Sequence, residues 1–190
     1  MTSIRIVAPS QNLRLSEIGE LTALAYLADG LLDAAHPYVP QLRDAKTRAE
    51  KAILLMAAGG SNGEGAAQGT ITVVPPESTF SEYDGPDFEL RMLAVSPLER
   101  AKGIGEDLAR FGLTLAVERG ATRVLLSTMH AMTAAHRLYE KVGFVRIPEL
   151  DWVAHPDSAK RQCDDSCRRP DGTCTADGQA LMTYGWMPAS

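Results

Sequence analysis

Between Glu89 and Leu108 an apolar strand, Glu89-Leu90-Arg91-Met92-Leu93-Ala94-Val95, meets a tight turn at Ser96-Pro97. It then crosses the basic, glycine-containing loop Arg100-Ala101-Lys102-Gly103-Ile104-Gly105 and opens a long amphipathic helix. The first amides of a helix have no acceptor within it, and the helix dipole adds partial positive charge there, so such a junction favours anions. Gly103 and Gly105 lack Cβ atoms and let a phosphate approach the main chain, while Arg100 and Lys102 add full positive charges. A diphosphate is the natural guest. The spacing excludes the two common nucleotide loops. A P-loop needs Gly-Lys-Ser/Thr after four spacers, and a dinucleotide fingerprint needs a third glycine where this chain has Leu108. Taken alone, R-x-x-G-x-G also fits an ordinary surface loop with turn glycines.

The remaining chain supplies a sheet for this helix to cover. Strands are predicted at Ser3–Val7, Ala52–Ala58, Gln68–Val74, Phe88–Val95, Thr122–Ser127, Phe144–Ile147 and Ala180–Met187. A hairpin is expected around the glycine-rich run 59–65. Helices are predicted at Ser16–Ala28 with Ser16 as N-cap, at Tyr38–Lys51, at Gly103–Arg119 and at Met132–Lys141. In the second of these, Arg43, Asp44, Lys46, Arg48 and Glu50 are placed on the solvated side. In the third, Ile104, Leu108, Phe111, Leu115 and Val117 are turned toward the sheet. Strand–helix–strand runs imply parallel pairing in the middle of the chain and hairpins imply antiparallel pairing elsewhere, a mixed α/β fold.

With 190 residues, the chain is expected to form one domain able to bury a core without disulfide support. The formal charge of −5, from 19 Lys+Arg against 24 Asp+Glu, argues against nucleic acid as the main partner. No apolar run approaches the ~18–20 residues of a membrane span, and Met1–Val7 lacks a secretory pattern, so a cytoplasmic protein is expected.

A second motif narrows the reading. Leu125–Ser127 is a strand, and a short helix follows that ends in Leu138-Tyr139-Glu140-Lys141-Val142-Gly143-Phe144, with Gly143 as a stop. R-x-x-G-x-G opening a helix, followed by L-Y-E-K-x-G-F, resembles the GCN5-related N-acetyltransferase (GNAT) superfamily, strongly over Glu89–Phe144. The resemblance implies a central, mostly antiparallel sheet with a splayed parallel strand pair and flanking helices. It implies acetyl-CoA as co-substrate and direct transfer of an acetyl group to a primary amine of a small molecule or peptide. It is also compatible with a homodimer.

Residue by residue, the resemblance assigns main-chain groups of Leu93, Ala94 and Val95 to the pantetheine arm. A bulge in this strand would aim an amide at the thioester oxygen. Arg100, Ala101, Lys102, Gly103, Ile104, Gly105 and Glu106 fall to the diphosphate. Met132 stands where many relatives carry asparagine against the cofactor arm, so contact there would be apolar. Tyr139 falls at the general acid that protonates the leaving thiolate. Glu89 occupies a position from which some members supply a base; its alternative is a salt bridge with Arg91, two residues away on the same face. Ser127 replaces another family glutamate.

The acceptor side is thin. Tyr26, Asp29, His36 and Tyr38, at the turn between the first two helices, are candidates for an amine pocket, or form an ordinary connection. A polar insert at about 155–178 holds Cys163, Cys167 and Cys174; its C-x3-C-x6-C spacing favours free thiols, and no metal is expected. The alternative to an enzyme is a non-catalytic acyl-CoA sensor on the same fold.

Overall fold

The computed structural model describes residues 2–60, 63–154, 160–162 and 179–188. They fall into two compact units, Met1–Val124 and Leu125–Ser190.

The first unit is built on four antiparallel strands in sequence order: β1 (Ser3–Ile6), β2 (Ile53–Ala58), β3 (Ala67–Val74) and β4 (Phe88–Val95). The helix α1 (Asn12–Ala28) begins four residues before the predicted start, with Gln11 as its flanking residue, so Ser16 lies inside the helix. The expected helix Tyr38–Lys51 is two: α2 (Val39–Arg43) and α3 (Ala45–Lys51). The break falls at Asp44, whose carboxylate accepts the Thr47 amide at 2.9 Å and the Thr47 hydroxyl at 2.7 Å. A side chain that can bond the backbone locally competes with helix continuation and then caps the next helix.

This break corrects the charge pattern. Arg48 is fully buried, because Ala45, Arg48 and Ala49 share the inward face of α3. The helix α4 (Ile104–Glu118) buries Ile104, Leu108, Ala109, Gly112, Leu113, Leu115 and Ala116. Phe111 and Val117, predicted to face the sheet, are 39% and 40% exposed. The packing stripe against the sheet runs through Ile104, Leu108 and Gly112. A Cβ on Gly69 of β3 would stand 2.9 Å from Leu108 Cδ1, 3.0 Å from the Ala94 carbonyl and 3.1 Å from Ile104 Cγ2, so glycine there lets α4 lie close to the sheet. The Phe88 amide donates to the Arg123 carbonyl (3.2 Å), and the Arg123 guanidinium bonds Asp87 (Nε–Oδ1 2.9 Å). The chain therefore leaves α4 and returns beside the start of β4, as a strand–helix–strand run requires.

The second unit holds β5 (Val124–Met129, starting at the boundary), α5 (Thr133–Lys141), β6 (Val145–Arg146), β7 (Trp152–Ala154), β8 (Lys160–Gln162) and β9 (Gln179–Trp186). β9 pairs antiparallel with β6 and β7, and β7 with β8. The strands β7 and β8 were not predicted; β8 lies within the stretch read as a polar insert. Cys163, Cys167 and Cys174 lie outside the described residues, as does His155. Together the elements make a mixed α/β fold whose sheet is mostly antiparallel and flanked by helices. No described helix is long and apolar enough to cross a membrane.

The Asp44 cap makes a test. Its hydrogen bonds to Thr47 hold its carboxyl below the usual carboxylate range. A depressed folded-state value stabilises above the unfolded carboxylate range and is lost as pH falls through the folded value. Asp44→Ala is expected to cost about 1 kcal/mol in urea unfolding at pH 7, and the deficit should shrink as pH falls below about 4.

Candidate active site

The site in the first unit begins with an irregularity in β4. Thr70 pairs with Ala94 but Thr72 pairs with Arg91, so Met92 and Leu93 together oppose Ile71. Met92 takes φ +51°, in the left-handed region that side chains normally avoid. This is a β-bulge, and it changes which way the strand faces. Before it, Leu90 packs under α4, where a Cβ on Gly112 would meet Leu90 Cδ2 at 3.2 Å. After it, Met92 joins the cluster of Ala23, Val39 and Leu42, and Ala94 joins Leu21 and Ala25, both beneath α1.

Beyond β4, a single 3-10 turn (Pro97–Glu99) leads into a loop with two left-handed residues, Ala101 (φ +61°) and Gly103 (φ +83°). The first bond into α4 runs from the Asp107 amide to the Gly103 carbonyl at 3.0 Å. The amides of Gly103, Ile104 and Gly105 therefore have no acceptor within the helix. A Cβ at Gly103 would meet nothing within 4 Å, so the space beside this residue is open. The loop fits a diphosphate through its main chain. Its cations are engaged elsewhere: Arg100 forks onto Asp29 (Nη2–Oδ2 3.1 Å) and reaches the Ala25 carbonyl, and Lys102 bonds Glu99 at 2.9 Å. Asp29 is thus a clasp between the end of α1 and the loop.

Tyr26 and Tyr38 are brought together. Both are half-buried against the cluster that contains Met92, at the bulge. His36 accepts the Tyr38 amide through Nδ1 at 3.1 Å. Burial pushes the Tyr38 phenol up to about 12, opposed by the Arg91 guanidinium beside it. Glu89 is 1% exposed and accepts the Glu82 amide at 2.8 Å and the Ser81 hydroxyl at 3.3 Å. The ion pair with Arg91 is present at 3.6 Å. Arg91 also bonds the Glu82 carboxylate and the Phe80 carbonyl, and its guanidinium lies 4.5 Å from the Phe80 ring centroid. Burial alone would lower the Arg91 guanidinium, but Glu82 and Glu89 hold it above its ordinary range. Ser81 and Glu82 sit in the connection between β3 and β4, where nothing in the sequence marks them as partners of Glu89.

In the second unit, Tyr139 is 7% exposed on α5, with its ring edge-on to Phe144 (5.9 Å) and 6.3 Å from Tyr184. Burial raises its phenol well above the usual range, so it holds its proton throughout neutral pH. His136 Nε2 donates to the Met129 carbonyl at 3.0 Å. Met132 flanks the start of α5, and the Thr128 hydroxyl lies 3.6 Å from its sulfur. Ser127 accepts the Trp152 indole N–H at 2.8 Å. Among the described residues, no group of three or more His, Cys, Asp or Glu side chains is arranged to hold a metal ion.

The chain is similar to known proteins in sequence and in fold. Mycothiol acetyltransferase from Thermobispora bispora is 44% identical over 63 residues, 33% of this chain and 21% of the relative. N-acetylaspartate synthetase from Danio rerio is 37% identical over 71 residues, 37% of this chain and 25% of the relative. The chain thus spans about a quarter or less of the length of these relatives. Two solved structures share the fold. The Salmonella typhimurium protein yncA, solved with acetyl-CoA as its cofactor, has a TM-score of 0.65 at 16% identity, covering 100% of this chain and 95% of that one. The ribosomal-protein-S18-alanine N-acetyltransferase of Escherichia coli has a TM-score of 0.61 at 14% identity, covering 100% and 96%. The profile of the Acetyltransferase (GNAT) family matches residues 24–144, from α1 through the bulged strand and the amide loop to the end of α5. The chain belongs to the GNAT acetyltransferase family.

Proposed function

We propose that this chain, acting as one catalytic domain, transfers an acetyl group from acetyl-CoA to a primary amine of a small molecule or peptide by direct attack. The observation that carries the reading is the continuous run from the β4 bulge to the open amides at the head of α4. A left-handed Met92 marks the bulge in the strand, and left-handed Ala101 and Gly103 curl the loop into the head of α4, with open space beside Gly103. The first arrangement suits an oxygen that gains charge, and the second suits a diphosphate.

Acetyl-CoA supplies the activated acyl carbon. In this reading, the main chain of Leu93, Ala94 and Val95 bonds the pantetheine arm, the amides from Ala101 to Glu106 hold the diphosphate, and Met132 lends an apolar contact. Arg100 and Lys102 lie at the same mouth; Arg100 serves chiefly to tether it to α1. The amine lone pair attacks the thioester carbon, the carbon–sulfur bond breaks, the departing sulfur takes the proton of the Tyr139 phenol, and the proton that the nitrogen sheds as it becomes an amide returns to the phenolate through solvent. Burial that keeps this phenol protonated supports the role. The amine must first be neutral, and Glu89 receives its proton directly or through water. The buried, donor-lined setting of this carboxylate supports a fixed position for it. Tyr26 and Tyr38 line the acceptor end.

Purified protein mixed with acetyl-CoA and an amine panel, followed by free thiol release, tests the reading. Tyr139→Phe is expected to lower kcat about 10²–10⁴-fold while the Kd for coenzyme A, measured by calorimetry, stays the same. An unchanged response in that variant would point to an acyl-CoA sensor instead. Gly103→Val is expected to weaken coenzyme A binding about tenfold, matching the ~1–2 kcal/mol that a side chain costs in the left-handed region.

A further inference from the structure

Arg48 is fully buried on α3, and its pairing is incomplete. Its Nη2 donates to the Thr22 hydroxyl and to the Leu42 carbonyl, each at 3.1 Å. Its Nε and Nη1 have no hydrogen-bond partner among the described residues. A guanidinium carries five N–H donors and no acceptor, so the one on Nε and the two on Nη1 are unmet. Burial lowers the group to about 10, which still leaves it a cation at neutral pH. Asp44, the acidic neighbour it senses, is exposed and spends its oxygens on Thr47. Arg91 repels Arg48, and its own nearby carboxylates are already engaged with it.

An unpaired buried cation with unmet donors is among the costliest arrangements a fold can keep. Its surroundings suggest what completes it. The phenols of Tyr38 and Tyr26 act on Arg48 electrostatically, and Tyr38 also senses Arg91, Glu82 and Glu89. Leu42, whose carbonyl Arg48 holds, belongs to the same cluster as Met92 at the bulge. Arg48 is therefore bonded to the cluster that holds both tyrosines of the proposed acceptor end and Met92 at the bulge.

Resting on that reading, we propose that Arg48 binds a carboxylate of the acceptor, so that the substrate is an amino acid or another small amine that carries its own carboxylate. The anionic end enters past Tyr26 and Tyr38 and accepts from Arg48, restoring the missing negative charge and meeting its donors. A neutral amine leaves the same cation uncompensated, which makes the site selective.

The test compares amino acids with their decarboxylated amines, using full-length protein, acetyl-CoA and thiol release. The expected kcat/KM favours the carboxylate-bearing member of a pair by about 10–100-fold, and Arg48→Met brings the ratio to within about threefold. Millimolar N-acetyl amino acid is expected to raise the melting temperature of the wild-type protein but not of Arg48→Met. That shift does not depend on turnover. Equal or better transfer to the decarboxylated amines would overturn the carboxylate assignment alone, and so would a thermal shift that survives the substitution. No thiol release above background with any acceptor would overturn the acetyl-transfer reading and this inference with it. The wild-type preference decides the matter even if Arg48→Met fails to fold.

Discussion

One extra residue in β4 sets the terms for the first unit. A strand alternates its side chains strictly, so Leu90, Met92 and Ala94 should all point the same way. Because Met92 and Leu93 share one partner across the ladder, Leu90 goes to the α4 face while Met92 and Ala94 go to the α1 face. The same strand can then anchor two helical layers. Arg91 and Met92, neighbours in sequence, both reach the region of α2, where Tyr38 meets each of them. The cost is a side chain held at positive φ, of the kind that a packed core sustains at functional sites.

The loop after β4 follows a related logic. Its main chain supplies the open donors, and its side chains brace it. Arg100 ties the loop to Asp29 at the end of α1, while Glu99 gathers Lys102 and the Gln68 amide. An anion held by backbone amides needs those amides fixed in advance, since fixed donors lose no order on binding.

Charge in the interior of this unit is arranged unequally. Arg91 has two carboxylates, a carbonyl and an aromatic ring, whereas Arg48 has a hydroxyl and a carbonyl and, among the described residues, no ion pair with an acid. Both arginines act electrostatically on Tyr38. The first is a closed structural unit. The second is unfinished, and that contrast directs attention to the acceptor's own charge.

The sequence alone determined the fold class, the order of the main elements, and the glycine-containing junction from strand to helix, because each rests on local chemistry: glycine, proline, helix-start amides and period. It also carried the family, through motifs spaced along one stretch of chain. It misplaced Arg48 because a lone cation in a charged helix reads as solvated, although its i−3 and i+1 alanines marked a buried face. It misjudged Phe111 and Val117 because the face of α4 that meets the sheet runs through Ile104, Leu108 and Gly112, and which helical face a distant strand covers is a long-range fact. Glu82 capping Glu89 and Asp29 clasping Arg100 join residues far apart in the chain or in a patternless connection. Only the tertiary structure decided them, since no periodicity encodes which distant side chains end within hydrogen-bond reach.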